Sequence, residues 1–501
     1  MYAVVEATRQ VKPANKSDVL RLEHIWAGVA ALLAGVKEPL SHGPGFQQFL
    51  AAARMCVVQL RRTERLCQLL VSLINSAARL PVKILTSSAI LSTKEKPHSM
   101  LLDLLLYSDF LEGCHKHGDT ATVSLYCDTF SRLLEAALHP GSDISALAPV
   151  LDKLELAVAN LSVSGLGVAN TLWRLMADTA AGLARVTDQG PGPGAVPSFA
   201  TVLAMLRFPV QCLQHRGGEA ATLAAWEQLY RAAVEQGEVS IHHTTGHIVA
   251  EVADRLETVL RSRASSCQLL LNARVARVMV ETVDWASTAR TLKAGAGGQH
   301  PLAGFERMMN PLGNVTSLIT HLKHLTEIIA TKDKEQADAA VAKELLTCYR
   351  KLFSLTQQDL IRPLLRTSTS AAFAKLLQEE VVVSLTALDA SVLPLLESVF
   401  TTLCVLVKVK YNKEYSAEFL AEIEEVLVAS LGSSRSSIRK PANEMWKVTF
   451  ASLPKEKLPA KLLAVLKGST SSGVKAGLSS SSEVRYCWSI NQLLSIINWC
   501  M

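Results

Sequence analysis

No CxxC pair occurs in this sequence, although it holds ten cysteines, at positions 56, 67, 114, 127, 212, 267, 348, 404, 487 and 500. Most of them sit in apolar helical patterns such as Arg54-Met55-Cys56-Val57-Val58. That usage excludes a disulfide framework and points to a reducing compartment, cytosol or nucleus. Charge is also sparse, at 19 % of 501 residues against 49 % hydrophobic, and the net charge is only +6. Global disorder is excluded by that balance. Uncharged apolar runs of about 18 residues are missing as well. The nearest case, Val381 to Val407, is interrupted by Asp389, Pro394 and Glu397, so no membrane span is expected. The first residues turn charged at Glu6 before an apolar core can form, so no secretory signal is expected either. Strand-like alternation of useful length is absent, and so are the P-loop signature, GxSxG and HExxH. With no paired acid–base constellation in view, neither an enzyme nor a cofactor is expected.

What remains is helical periodicity. Apolar residues recur at spacings of three and four from Asp18 to about Val36, from Phe46 to about Ala78, and from Pro97 through Cys114 and on to Leu138. The pattern continues in Leu151–Leu161 and Leu166–Val186, from Ser198 to about Val283, and from about Leu312 to Leu466. Helices of roughly 15–22 residues joined by short turns predict an all-α protein, an α-solenoid of degenerate HEAT- or armadillo-like repeats. The organisation expected is helical repeats over 1–188, a Gly/Pro linker over 189–197, and further repeats over 198–467 with a flexible break near 293–300. A Gly/Ser-rich linker over 468–483 and an apolar tail over 484–501 follow, the tail reading as a non-native end. Exact repeats are not visible. The best echo is Leu172-Trp173-Arg174-Leu175-Met176-Ala177 against Ala225-Trp226-Glu227-Gln228-Leu229-Tyr230, fifty-three residues later. Met445-Trp446-Lys447-Val448-Thr449-Phe450 is a looser third copy.

Several clusters invite a chemical reading. Gly165-Leu166-Gly167 opens a helix, but Asn170 stands where a dinucleotide fingerprint needs a small residue, and no strand precedes it. Cys114-His115-Lys116-His117-Gly118-Asp119, with Cys127 and Asp128 downstream, has zinc-binding residue types. Adjacent helical residues point about 100° apart, so a polar helix end with a buried cysteine is the favoured reading. His242, His243 and His247 lack a third ligand and read as solvated.

Charge, by contrast, is concentrated near the end. Between positions 435 and 467 lie Arg435, Arg439, Lys440, Lys447, Lys455, Lys457, Lys461 and Lys467, opposed only by Glu444 and Glu456. This surplus of six equals the net charge of the whole chain. An acidic face, Glu418, Glu422, Glu424 and Glu425, lies just upstream. Arg435, Arg439, Lys440, Lys455, Lys457 and Lys461 are candidate contacts for a nucleic-acid phosphate backbone. Base-stacking aromatics are not interleaved with them. Within the same stretch Lys447, Val448 and Phe450 match a basic-Val-x-Phe pattern by which an extended segment docks on type-one protein phosphatase. Here it falls inside an amphipathic helix, where core packing is favoured.

The run Ile438-Arg439-Lys440, Met445 to Phe450 and Leu458-Pro459-Ala460-Lys461-Leu462 resembles a run in the telomere-associated Rif-one (Rap-one-interacting factor) family. Thr171–Asp178, Ala225–Tyr230 and Asn310-Pro311-Leu312-Gly313-Asn314 resemble that family's helical-repeat region, and the similarity covers about residues 50–467. The resemblance implies a nuclear, non-enzymatic scaffold. It would act at telomeres, in replication timing through type-one phosphatase, and in the choice of double-strand-break repair. The chain would be the later part of the repeat region. The family's Ser-Ile-Leu-Lys phosphatase motif, long disordered region and terminal DNA-binding module are missing from it. The alternative is a generic helical-repeat adaptor or karyopherin-like transport protein.

Overall fold

The structure is a computed structural model. It describes residues 64–88, 96–138, 144–161, 166–186, 195–212, 220–235, 243–261, 266–283, 315–331, 339–366, 370–411 and 413–471, with Arg21, His24 and Gly28 besides. Among the described residues there is no strand. Helices α1 (Glu64–Ala78), α2 (Val82–Leu85), α3 (Pro97–Leu105), α4 (Ser108–His117), α5 (Thr120–Ala137), α6 (Ala148–Val158) and α7 (Leu166–Val186) come first. They are followed by α8 (Ala195–Cys212), α9 (Ala220–Glu235), α10 (His243–Arg261), α11 (Ser266–Thr282), α12 (Val315–Thr331) and α13 (Ala339–Leu355). The last are α14 (Ile361–Leu364), α15 (Ser370–Leu376), α16 (Glu379–Leu388), α17 (Val392–Val405), α18 (Ala417–Leu431), α19 (Ser436–Thr449) and α20 (Ala460–Ser471).

Long helices pack mainly on others one or more places further along the chain. One row runs α1, α5, α7, α9, α11, α13, α17, α19, and a second runs α3, α6, α8, α10, α12, α15, α18, α20. Cross-row packing, as between α11 and α12 or α18 and α19, closes a continuous apolar core between the rows. This two-row stacking is solenoid-like: each hairpin buries its apolar face only against its neighbours. The three tryptophan helices of the sequence echo, α7, α9 and α19, all fall in the first row.

The echo has a specific cause. Pro209 lies inside α8. It has no N–H, so the Met205 carbonyl four residues earlier has no helical donor. The Trp173 indole donates to that oxygen at 3.0 Å, and the Trp226 indole donates to the next carbonyl, Leu206, at 2.9 Å. Both rings are buried, Trp173 stacked on Phe208 and Trp226 on Tyr230. Asn170 is buried beside them and exchanges hydrogen bonds with Thr222 of α9 at 2.6 and 2.8 Å, so its role is to lock α7 to α9. Replacing Trp173 by Phe is expected to cost about 1–3 kcal/mol by orphaning the Met205 carbonyl, read as a lower denaturant midpoint. An unchanged midpoint would mean that the carbonyl has another donor.

Ion pairs bridge successive helices of both rows. In the second row Asp103 pairs with Lys153, Arg207 with Glu251, and Lys375 with Glu327 at 3.4 Å. In the first, Arg231 meets Glu281 at 3.7 Å and Arg277 meets Glu344 at 2.9 Å. The array thus neutralises charge at its own seams. Two buried histidines make it pH-sensitive. Burial lowers His321, against the opposing pull of Glu257 and with His324 adding to the lowering. Burial also lowers His98, whose Nδ1 donates to the Leu85 carbonyl at 2.9 Å. Both are therefore neutral in the folded state at a pH where the unfolded chain protonates, around 6.5. Their share of stability is present above that value and is lost as pH falls below it. The denaturant midpoint should drop on acidification from pH 7 through about 6. A flat profile over that window would contradict this.

Two boundaries differ from the sequence expectation. Helix α8 begins at Ala195, inside the stretch read as linker 189–197, because Pro197 falls in its first turn, where a missing N–H costs nothing. Helix α20 runs to Ser471, past the start of the Gly/Ser-rich segment at 468. The helix expected at Asp18–Val36 (save Arg21, His24 and Gly28), the break near 293–300 and the tail 484–501 lie outside the described residues.

Candidate nucleic-acid interface

The basic segment spans the last described helices, α19 and α20. Helix α19 buries Ile438, Ala442, Met445, Trp446 and Thr449 against α17 and α18. Its opposite face, at spacings of four and three, exposes Lys440, Glu444 and Lys447. Phe450, at the helix C-cap, is wholly buried in an aromatic cluster, its ring 5.4 Å from Tyr415, 5.7 Å from Phe419 and 6.4 Å from Trp446. Tyr415 in turn donates to the Val407 carbonyl at 3.0 Å, in the π-turn Leu406–Lys410 that ends α17. The cluster therefore fixes α17, α18 and α19 to one another beneath the charged face. Beyond Phe450 the chain makes a short 3₁₀ turn, Lys455–Lys457, and enters α20, with Lys455, Lys457 and Lys461 exposed.

The six residues proposed from sequence divide. Arg435 is half-buried and its Nε lies 3.6 Å from Glu379 Oε1 of α16. Arg439 is half-buried and donates to the Ser433 carbonyl at 3.4 Å. Both arginines thus have partners near the start of α19, unlike the other four candidates. Lys440, Lys455, Lys457 and Lys461 are exposed, and none has an ion-pair partner among the described residues. Lys447 joins them, a contact that the sequence reading assigned elsewhere. Lys440 and Lys447 are about 10 Å apart along the helix axis, enough to span about three phosphates of one strand. One acidic residue on this face is engaged: Glu444 meets Lys408 at 3.7 Å.

Lys447, Val448 and Phe450, the phosphatase-docking pattern for which core packing is favoured, fall at the end of α19. Lys447 and Val448 are exposed, but both are helical, and Phe450 is fully buried. An added strand would have to unwind the last turn of α19 and empty the aromatic cluster.

Other candidates resolve similarly. Cys114 is buried against Cys67, and Asp119 caps α5 by accepting from the Thr122 amide at 2.8 Å. The side chains of His115, His117, His242, His243 and His247 lie outside the described residues. Among the described residues no cluster of three metal-capable side chains occurs. Among the described residues one helical stretch, Val392–Lys410, is long and apolar enough to cross a bilayer by length and composition; it packs between α13 and α19. No protein-family model and no curated protein matches the chain. Fold and surface together define a class: an all-α, solenoid-like array whose last helices carry a cationic face.

Proposed function

We propose that the chain is a non-enzymatic chromatin scaffold of the Rif-one family, built from degenerate HEAT- or armadillo-like repeats. Its place is the nucleus, at the telomeric region of chromosomes, with work in replication timing and break-repair choice. Its helical surfaces would hold protein partners, type-one phosphatase and break-repair factors among them. Its last described helices would rest on DNA through Lys440, Lys447, Lys455, Lys457 and Lys461. The observation that carries this reading is the concentration of basic residues in the last described helices, where Lys440, Lys447, Lys455, Lys457 and Lys461 stand exposed and none has an ion-pair partner among the described residues. Unpaired lysines retain condensed-counterion exchange with phosphate as their favourable interaction, which makes binding steeply salt-dependent. With no stacking aromatics among them, the contact is expected to be indifferent to sequence. The test is a fluorescence-anisotropy titration of duplex DNA over a salt series. Binding at low salt that weakens linearly in log salt supports the proposal. Absence of binding at low salt would remove it and leave the karyopherin-like adaptor in its place.

A further inference from the structure

Cys67 of α1 and Cys114 of α4 bring their sulfurs to 3.0 Å. Unbonded carbon atoms rest at about 3.5–4.0 Å, and sulfur is larger. A disulfide needs about 2.05 Å. The pair is thus closer than two indifferent thiols and about 1 Å from a bond. The Cys67 sulfur lies beside Gly113, the residue before Cys114, where an added methyl would stand 3.9 Å from it, in ordinary contact. The two thiols come from helices 47 residues apart in sequence and close no metal site with a third ligand among the described residues.

We propose that Cys67 and Cys114 are a reversible oxidation site, a dithiol that a peroxide converts to a disulfide clamping α1 to α4. Cys67 is 7 % exposed and Cys114 is fully buried, so Cys67 meets the oxidant. Its sulfur attacks the peroxide O–O bond, becomes a sulfenic acid and releases water. The Cys114 sulfur then attacks the sulfenic sulfur, and its thiol proton leaves with the hydroxyl as a second water. In sum, two thiols and one hydrogen peroxide give one disulfide and two waters. A thiol reductant reverses the step by exchange. Burial makes closure slow, and a reducing compartment keeps the pair open at rest. The clamp ties α1 of the first row to α4, which itself packs on α5 and α7, so closure would stiffen the first described helices as a unit.

The test uses the full chain, fully reduced, desalted and exposed to hydrogen peroxide over a time course. The remaining thiols are then alkylated, and the non-reduced digest is mapped by mass spectrometry. The expected result is a peptide linking Cys67 to Cys114, lighter by two hydrogens than the reduced pair and dissolved by dithiothreitol. That peptide should be missing from the Cys67→Ser variant. Because the linkage is read in the wild-type chain, a variant that fails to fold does not decide the outcome. Full alkylation of both cysteines after oxidation would overturn the proposal. So would a bridge from Cys114 to Cys127, the half-buried thiol on the neighbouring α5.

Discussion

Replacing Phe450 by alanine is expected to lower stability by about 3–5 kcal/mol, the range for emptying a buried aromatic site. The ring is fully buried and touches Tyr415, Phe419 and Trp446, which belong to the loop before α18, to α18 itself and to α19. Its loss leaves a cavity at the joint that carries the cationic face. The effect should appear in the denaturant midpoint. Phe450→Leu should cost less, because much of the volume is kept. A matched Val448→Ala change should do little, since that side chain is 59 % exposed. The pair of variants separates two readings of one motif. A docking strand needs Val448 and Phe450 equally available to a partner, whereas a core helix end needs only Phe450. An unchanged midpoint for Phe450→Ala would restore the docking reading.

Reversing the five exposed lysines to glutamate is expected to abolish duplex binding at salt concentrations where the wild type binds. Each lysine lost from a phosphate contact should reduce the slope of log affinity against log salt by about 0.9. Single substitutions should weaken binding to all sequences alike, since the contacts are to backbone. Arg435→Ala and Arg439→Ala form the control. Their side chains are half-buried and turned to Glu379 and to the Ser433 carbonyl, so the binding slope should hold while the midpoint of unfolding shifts slightly. An exposed or half-exposed pair of that kind contributes about 0–1 kcal/mol. If instead the arginine variants lose binding and the lysine variant keeps it, the division of the basic segment is wrong.

Much of the architecture was legible in the primary structure because it rests on local rules. Helix α7 spans Leu166–Val186 as its periodicity predicts, and α3 opens at Pro97, where a proline belongs. The tryptophan echo marked three helices of one row. What stayed hidden depends on long-range partners. Pro209 reads as a blemish in a helix until Trp173, from another helix, supplies the missing donor. Arg435 and Lys440 look alike in a basic run, and only the position of Glu379 on α16 tells them apart. Lys447 belonged to a four-residue motif on paper and to a charged face in three dimensions. The Cys67–Cys114 approach leaves no trace at a spacing of 47 residues.

The claim that the chain is a chromatin scaffold is tested most directly by mapping the tagged endogenous protein across the genome, with and without induced double-strand breaks. The expected result is salt-sensitive retention on chromatin, with enrichment at telomeres, late-replicating domains or breaks. A diffuse or nuclear-envelope distribution with no chromatin retention would contradict it.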